Sequence, residues 1–383
     1  MRAIERYQHA RKRTAKIFAA IQPGSERDRP IPVRHPFLFY LGHIPTFSFL
    51  TLNRRVLDES PMDLDLEKLF ERGIDPSLDS TVQSEPSWPA ISRVMEHVDM
   101  CDRRVTQALE QAIDETSYPL ASVATETLLE HELMHQETLV YILNALEHEK
   151  KRPFRAIHHA GSAPRNDLRL VPAGVWDNEF QMQRYPVSNG DWLAFVAQGG
   201  PIPHFWERHG GQWHLRCTFE TLPLPLSWPV YVTAQQAAAY AEFVAMRLPT
   251  EAEFMRAAYA DAPASERRYP WGNDAPTVLH ANIGMRRLDP ESVDAHPLSA
   301  SIFGIEDLVG NGWEWTSTVF APFEGFSPMP TYPQYSLDFF DGQHIVCKGA
   351  SPATPDDLVR PSFRNWFYAD YPYAYAKFRC VTR

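Results

Sequence analysis

The sequence predicts an α+β protein of two domains, a helical front half followed by a loop-rich, irregular α+β half. Three observations lead there. The chain has 383 residues, more than one ordinary core serves and enough for two. Before about residue 155, apolar residues recur at helical spacing. After residue 168, where most of the 10 Trp and 33 Pro lie, apolar runs are short and broken by turn residues.

Four helical segments are expected in the front half: Ile4 to Ile21, Leu38 to Val56, Ala90 to Ile113 and Leu120 to His148. In the fourth, Leu128, Leu129, Leu133, Leu139, Ile142, Leu143 and Leu146 recur at three- and four-residue spacing, the mark of a helix with a packed stripe. Short polar or Pro-bearing connections make an antiparallel bundle the natural arrangement. HHAGSAPRND (158–167) reads as a linker. The expected division is therefore a domain over 1–157, a linker over 158–169 and a domain over 170–383. In the second domain, helices are expected over 233–247 and 250–259. No fixed-period repeat or low-complexity tract is present.

Composition narrows the function classes. Apolar content is 44% and charged content 22%, ordinary for a globular chain. A net charge of −11 argues against a general nucleic-acid binder, which wants a basic face. The Arg and Lys residues among the first 36 positions read as one solvated helix face. No apolar leader core is seen, and no run approaches the ~18 apolar residues of a membrane span. Cys101, Cys217, Cys347 and Cys380 are far apart and form no CxxC pair, so neither a disulfide scaffold nor a cysteine zinc site is expected. A cytoplasmic protein with reduced thiols follows, with no obligatory protein partner inferred.

The chemical signal lies in HELMHQE, residues 131–137. Residues i and i+4 share a helix face, so His131 and His135 can hold one metal ion. Glu137 points elsewhere on the helix, and a third ligand must come from another segment. His43, set among apolar and aromatic residues in LFYLGHIPTF, is the first candidate, with His35 the runner-up. Three imidazoles suit Fe(II), Zn(II) or Cu(II), and the spacing does not choose among them.

The second half contains, in order, VPAGVWDNEF, YPVSNGDWLAFV, RLPTEAEF, YPWGN, GNGWEW, KGAS and RPSFRNWFYADYPYAYAKFRCVTR. Over about 170–383 these blocks resemble the formylglycine-generating-enzyme-like (sulfatase-modifying-factor) domain, a C-type-lectin-related fold. The oxidase members of that family use a close cysteine pair, which this chain lacks. The front half resembles a DinB-like four-helix bundle. The two together are similar to the ergothioneine and ovothiol sulfoxide synthases. That resemblance implies a facial Fe(II) site of His43, His131 and His135, open to O2 and to a thiolate or selenolate. It further implies that Gln136 hydrogen-bonds the imidazole substrate hercynine (trimethylated histidine), and that Asn365 and Trp366 line the substrate site. A Trp face attracts a trimethylammonium group.

The chain also departs from the family pattern. Phe367 stands where synthases taking γ-glutamylcysteine carry an Asp after RNW, and the family tyrosine has no aligned counterpart. Tyr332, Tyr335 and Tyr368 are the candidate proton donors. RPIPVRHPFLFYLGHIPTFSF and LFERGIDP resemble the selenoneine synthase branch, which implies a selenosugar as donor and a selenoxide as product. A cysteine or γ-glutamylcysteine donor, giving a sulfoxide, is the alternative. Two other classes stay open on the residues alone: a metal-dependent thiol S-transferase and a lectin-like binding module.

Overall fold

The structure, a computed structural model, describes residues 2–71, 87–111, 113, 116–153, 164–174, 178–260 and 267–382. Linker residues 158–163, the end of LFERGIDP from residue 72, and 175–177 of VPAGVWDNEF lie outside them. The chain forms two compact units, residues 1–154 with 327–335, and residues 155–326 with 336–383. The segment Ser327–Tyr335, which the sequence reading placed within 170–383, thus groups with the helical unit.

The first unit is built from α1 (Ala3–Ala19), α2 (Phe37–Phe49), α3 (Leu64–Phe70), α4 (Ile91–Glu110) and α5 (Ala121–Ala145). Every residue of α2 except Leu41 is buried, which marks a helix surrounded by its neighbours. It packs against α3, α4 and α5, while α1 packs on α5 and α4. Pro45 lies inside α2 and carries no N–H for the helical ladder. The Thr46 hydroxyl donates instead to the Gly42 carbonyl at 2.7 Å. After Phe49 the chain widens into a π-turn, Leu50–Arg54, so the expected single helix to Val56 is two pieces. The sequence reading did not anticipate α3. Its start is explained by Asp63, whose carboxylate accepts from the Asp65 and Leu66 amides, both at 3.1 Å. Tyr7, Phe49, Leu52, Cys101, Val105, Leu128 and Leu129 make a common core. Each such large side chain contributes about 1.5–3 kcal/mol by burial.

The second unit carries three small sheets and three principal helices. Strands β1 (Leu168–Val171) and β2 (Phe180–Gln183) form an antiparallel pair, and β3 (Trp206–His209), β4 (Gln212–Arg216) and β5 (Thr221–Pro223) an antiparallel sheet. The largest sheet has the order β8-β7-β6-β9, from β6 (Gly312–Val319), β7 (His344–Ala350), β8 (Asn365–Tyr368) and β9 (Ala376–Lys377). Only the β6–β9 pairing is parallel there. The helices α6 (Asn189–Val196), α7 (Ala234–Phe243) and α8 (Glu251–Tyr259) each open on a capping box, led by Ser188, Thr233 and Thr250. Within GNGWEW, Gly312 has φ of 134°, and a Cβ there would meet the Tyr231 ring at 2.8 Å. Only glycine serves at that position. No described helix is long and apolar enough to cross a membrane.

Candidate metal centre

Within the first unit α2 supplies His43, and α5 supplies His131 and His135. Their Nε2 atoms converge: His43 to His131 3.3 Å, His43 to His135 3.2 Å, His131 to His135 3.1 Å. Among the described residues this is the one group of three or more His, Cys, Asp or Glu side chains arranged to hold a metal ion. His35 stays one ring away, tilted by 30° against Phe39 at 4.2 Å, which itself stacks on His43 at 4.9 Å.

The protonation states follow from the surroundings. His43 Nδ1 lies 2.7 Å from the Phe70 carbonyl. A carbonyl only accepts, so Nδ1 carries the proton and Nε2 presents its lone pair. Burial depresses the His43 pKa to about 4, against the opposing pull of that carbonyl. Burial, and then the neighbouring imidazoles, push His131 well below its ordinary value. Burial does the same for His135, helped by His43 and Arg34. All three rings are therefore neutral at pH 7, the form that ligates.

The donor set fits a first-row divalent metal. The Nε2 atoms of His43, His131 and His135 would hold such an ion, and three protein donors would leave it able to take up reactants. The Nδ1 atoms of His131 and His135 are buried and find no partner among the described residues.

Aromatic side chains hold the rings in place. Phe47, one turn beyond His43 on α2, stacks on His131 at 3.5 Å and 11°. Tyr40 lies 5.5 Å from the His135 ring. Ser327–Tyr335 adds Tyr332, 5.0 Å from Phe47 and 6.0 Å from His131 between ring centroids. The Tyr335 hydroxyl sits 2.9 Å from the Met134 sulfur. Thr127 and Thr331 join hydroxyls at 2.7 Å, tying that segment to α5. Of the candidate tyrosines, Tyr332 is thus brought beside His131, with Tyr335 next to it.

Gln136 is placed differently from the substrate-facing position that the resemblance implies. It lies about 100° round the helix from His135, fully buried, and donates to the Ala10 carbonyl at 2.9 Å and the Thr14 hydroxyl at 3.0 Å on α1. Asn365, Trp366, Phe367 and Tyr368 form β8 in the second unit. There Trp366 stacks on Phe320 at 4.1 Å and 12°. Phe367 turns inward, stacked on Tyr371 at 5.3 Å and edge-on to Trp315 at 6.2 Å. Tyr368 lies against His344 with ring centroids 4.1 Å apart and planes tilted by 34°, and the Asn365 side-chain oxygen accepts from the Trp366 amide at 2.9 Å.

Sequence reasoning missed Phe70 and Phe47. The i+4 spacing from His43 could have found Phe47; a backbone carbonyl on an unexpected helix left no such sign. Gly42 makes that carbonyl reachable, because a Cβ there would lie 2.5 Å from the Phe70 ring.

The comparisons with known proteins agree with this architecture. Residues 158–383 match the sulfatase-modifying factor enzyme 1-like domain. The chain is 32% identical to a hercynine oxygenase of Mycolicibacterium thermoresistibile, over 95% of this chain and 90% of that protein. A match to the hercynine oxygenase of Mycobacterium tuberculosis is 39% identical but covers 53% of this chain and about half, 52%, of that protein. Ergothioneine biosynthesis protein 1 of Schizosaccharomyces pombe is 27% identical over 92% of this chain and 52% of its own length. The chain belongs to the ergothioneine-type sulfoxide synthase family.

Proposed function

We propose that this chain is an Fe(II)- and O2-dependent synthase that joins hercynine to a thiol, forming a carbon–sulfur bond at the imidazole ring and leaving a sulfoxide. The observation that carries the reading is the convergence of three imidazole Nε2 atoms within 3.3 Å of one another, in a chain related to a hercynine oxygenase along 95% of its length. His43, His131 and His135 would hold the iron. When bound, it would activate O2 and lower the pKa of the donor thiol.

The remaining work falls to the protein. Phe70 fixes the tautomer and plane of His43 through its carbonyl. Phe47 covers one face of His131 and excludes water from that side. Three neutral ligands contribute no negative charge, so an anionic donor meets an uncompensated positive site. Tyr335 directs its hydroxyl at the Met134 thioether sulfur. Tyr332 stands next to it, ring centroids 5.9 Å apart, and either hydroxyl can move a proton to or from the substrates. In the second unit Trp366 and Asn365 are the groups assigned to the trimethylammonium and polar ends of hercynine.

A second reading replaces the thiol by a selenosugar and the sulfoxide by a selenoxide. Phe367 favours it: a buried aromatic ring occupies the place where γ-glutamylcysteine users carry a carboxylate. One competition assay tests both. Iron-loaded protein would receive hercynine, O2, cysteine, γ-glutamylcysteine and a 1-selenosugar together, with products read by mass spectrometry. A sulfoxide of hercynine supports the first reading, and a dominant selenium adduct the second. Turnover without O2, or binding with no adduct, rejects both in favour of a thiol transferase or a binding module.

A further inference from the structure

The face of α5 behind the histidines is as specific as the one in front. The residues that immediately follow the two ligands, Glu132 and Gln136, are both fully buried and both turn to α1. One hydroxyl serves the pair: Thr14 Oγ1 donates to Glu132 Oε1 at 2.6 Å and accepts from Gln136 Nε2 at 3.0 Å. Arg11, one turn earlier on α1, reaches the same Glu132 oxygen at 3.2 Å. Its other nitrogens pair with Asp102 on α4 at 2.9 and 3.0 Å, and Asp102 also accepts from the Tyr7 hydroxyl at 2.7 Å. Three helices are thus cross-tied directly behind the metal face.

We infer that Thr14, Glu132 and Gln136 are positioning residues for the metal, a rotational lock that aims His131 and His135 at His43. The inference rests on the reading that the three histidines hold a metal. Consecutive side chains on a helix stand about 100° apart, so turning α5 by one residue so that the imidazoles faced α1 would carry Glu132 and Gln136 about 100° further round, away from Thr14 and Arg11. Two features resist this turn. The Thr14 hydroxyl needs an acceptor and a donor at once, which the carboxylate and the amide supply. Arg11 would lose its buried carboxylate partner and face neutral rings instead. The histidines are aimed from behind by groups that never touch the metal, and Gln136 acts there rather than on a substrate.

The test is a Co(II) titration of the full chain, read by d–d absorption, with melting of the metal-free protein and hercynine KM measured alongside. Wild type should bind with the spectrum of a nitrogen-ligated site, and His131→Ala should not bind. Thr14→Val, which keeps the shape and loses the hydroxyl, should weaken Co(II) by tenfold or more and shift the bands, and Thr14→Ser should restore both. Gln136→Met keeps the volume, serves if Thr14→Val does not fold, and should also weaken the metal, with hercynine KM unchanged at saturating Fe(II). Wild-type binding with unaltered affinity and spectrum in Thr14→Val or Gln136→Met would overturn the lock. So would a Gln136→Met effect confined to hercynine KM. Absence of wild-type binding would instead overturn the metal reading and the lock together.

Discussion

In the second unit, Glu314, Lys377 and Arg379 are all fully buried, and every charge meets its complement. Arg379 holds both carboxylate oxygens of Glu314 at 2.6 and 2.8 Å, and Lys377 holds one at 2.9 Å. The spare donors go to the carbonyls of Gln183, Arg184, Glu306 and Asp307. In the first unit, His43 and His131 are buried and His135 half-buried, yet their Nε2 atoms point at one another. Only one of the two clusters is closed. The closed cluster fastens β6 to β9 and the chain beyond it; on the proposed reading a cation would complete the open one. A buried cluster of imidazoles that have chiefly one another as polar partners is a candidate working site.

The sharpest way to break this comparison is to remove one member from each cluster. His131→Ala should abolish metal retention and cut turnover by more than about 100-fold while the fold survives, as read by metal analysis and product formation. Glu314→Gln should do the reverse. It leaves two buried cations short of a counter-charge, costs about 3–5 kcal/mol and shows as a large fall in melting temperature, with the metal still bound if the chain folds.

Acid should separate the clusters as well. For His43 the folded pKa is about 4 against an ordinary value near 6.5. Below about pH 6.5 the unfolded chain takes up the proton first, so stability falls as pH drops toward 4, by about 3 kcal/mol for this one group. Glu314 is also depressed: burial opposes its ionisation, but Arg379 and Lys377 outweigh it. Its contribution is present above the unfolded carboxylate value of about 4.5 and is lost only as pH falls through the lower folded value. Acid titration of metal-free protein, followed by hydrogen exchange, should open the first unit before the second.

Two smaller effects sharpen the account. Gly42→Ala should drive Phe70 off α2, release His43 Nδ1 and weaken the metal about 10–100-fold, measurable by equilibrium dialysis. Trp366→Ala should raise the hercynine KM by up to about 30-fold, the value of a desolvated cation–π contact, with metal affinity unchanged.

Much of the site was legible in the sequence because its signals are local. The HxxxH spacing put two imidazoles on one face, and the apolar setting of His43 marked a buried helix. The sulfatase-modifying-factor blocks in the second half were equally plain, being short motifs in fixed order. What stayed hidden depends on tertiary placement. Gln136 could be read only by its neighbours in sequence, and its partner Thr14 lies 122 residues away. The segment around Tyr332 and Tyr335 reads as loop, and nothing local shows that it groups with the helical unit. The π-turn after Phe49 and the helix ending at Phe70 were missed for a related reason: short elements are decided by packing more than by propensity.

The most direct test of the central claim is a crystal of Fe(II)-soaked protein, grown without O2 and measured at the iron absorption edge. The account predicts one anomalous peak about 2.1 Å from the Nε2 atoms of His43, His131 and His135, with solvent on its remaining side. Iron elsewhere in the chain, or a site closed by a fourth protein ligand, would contradict it.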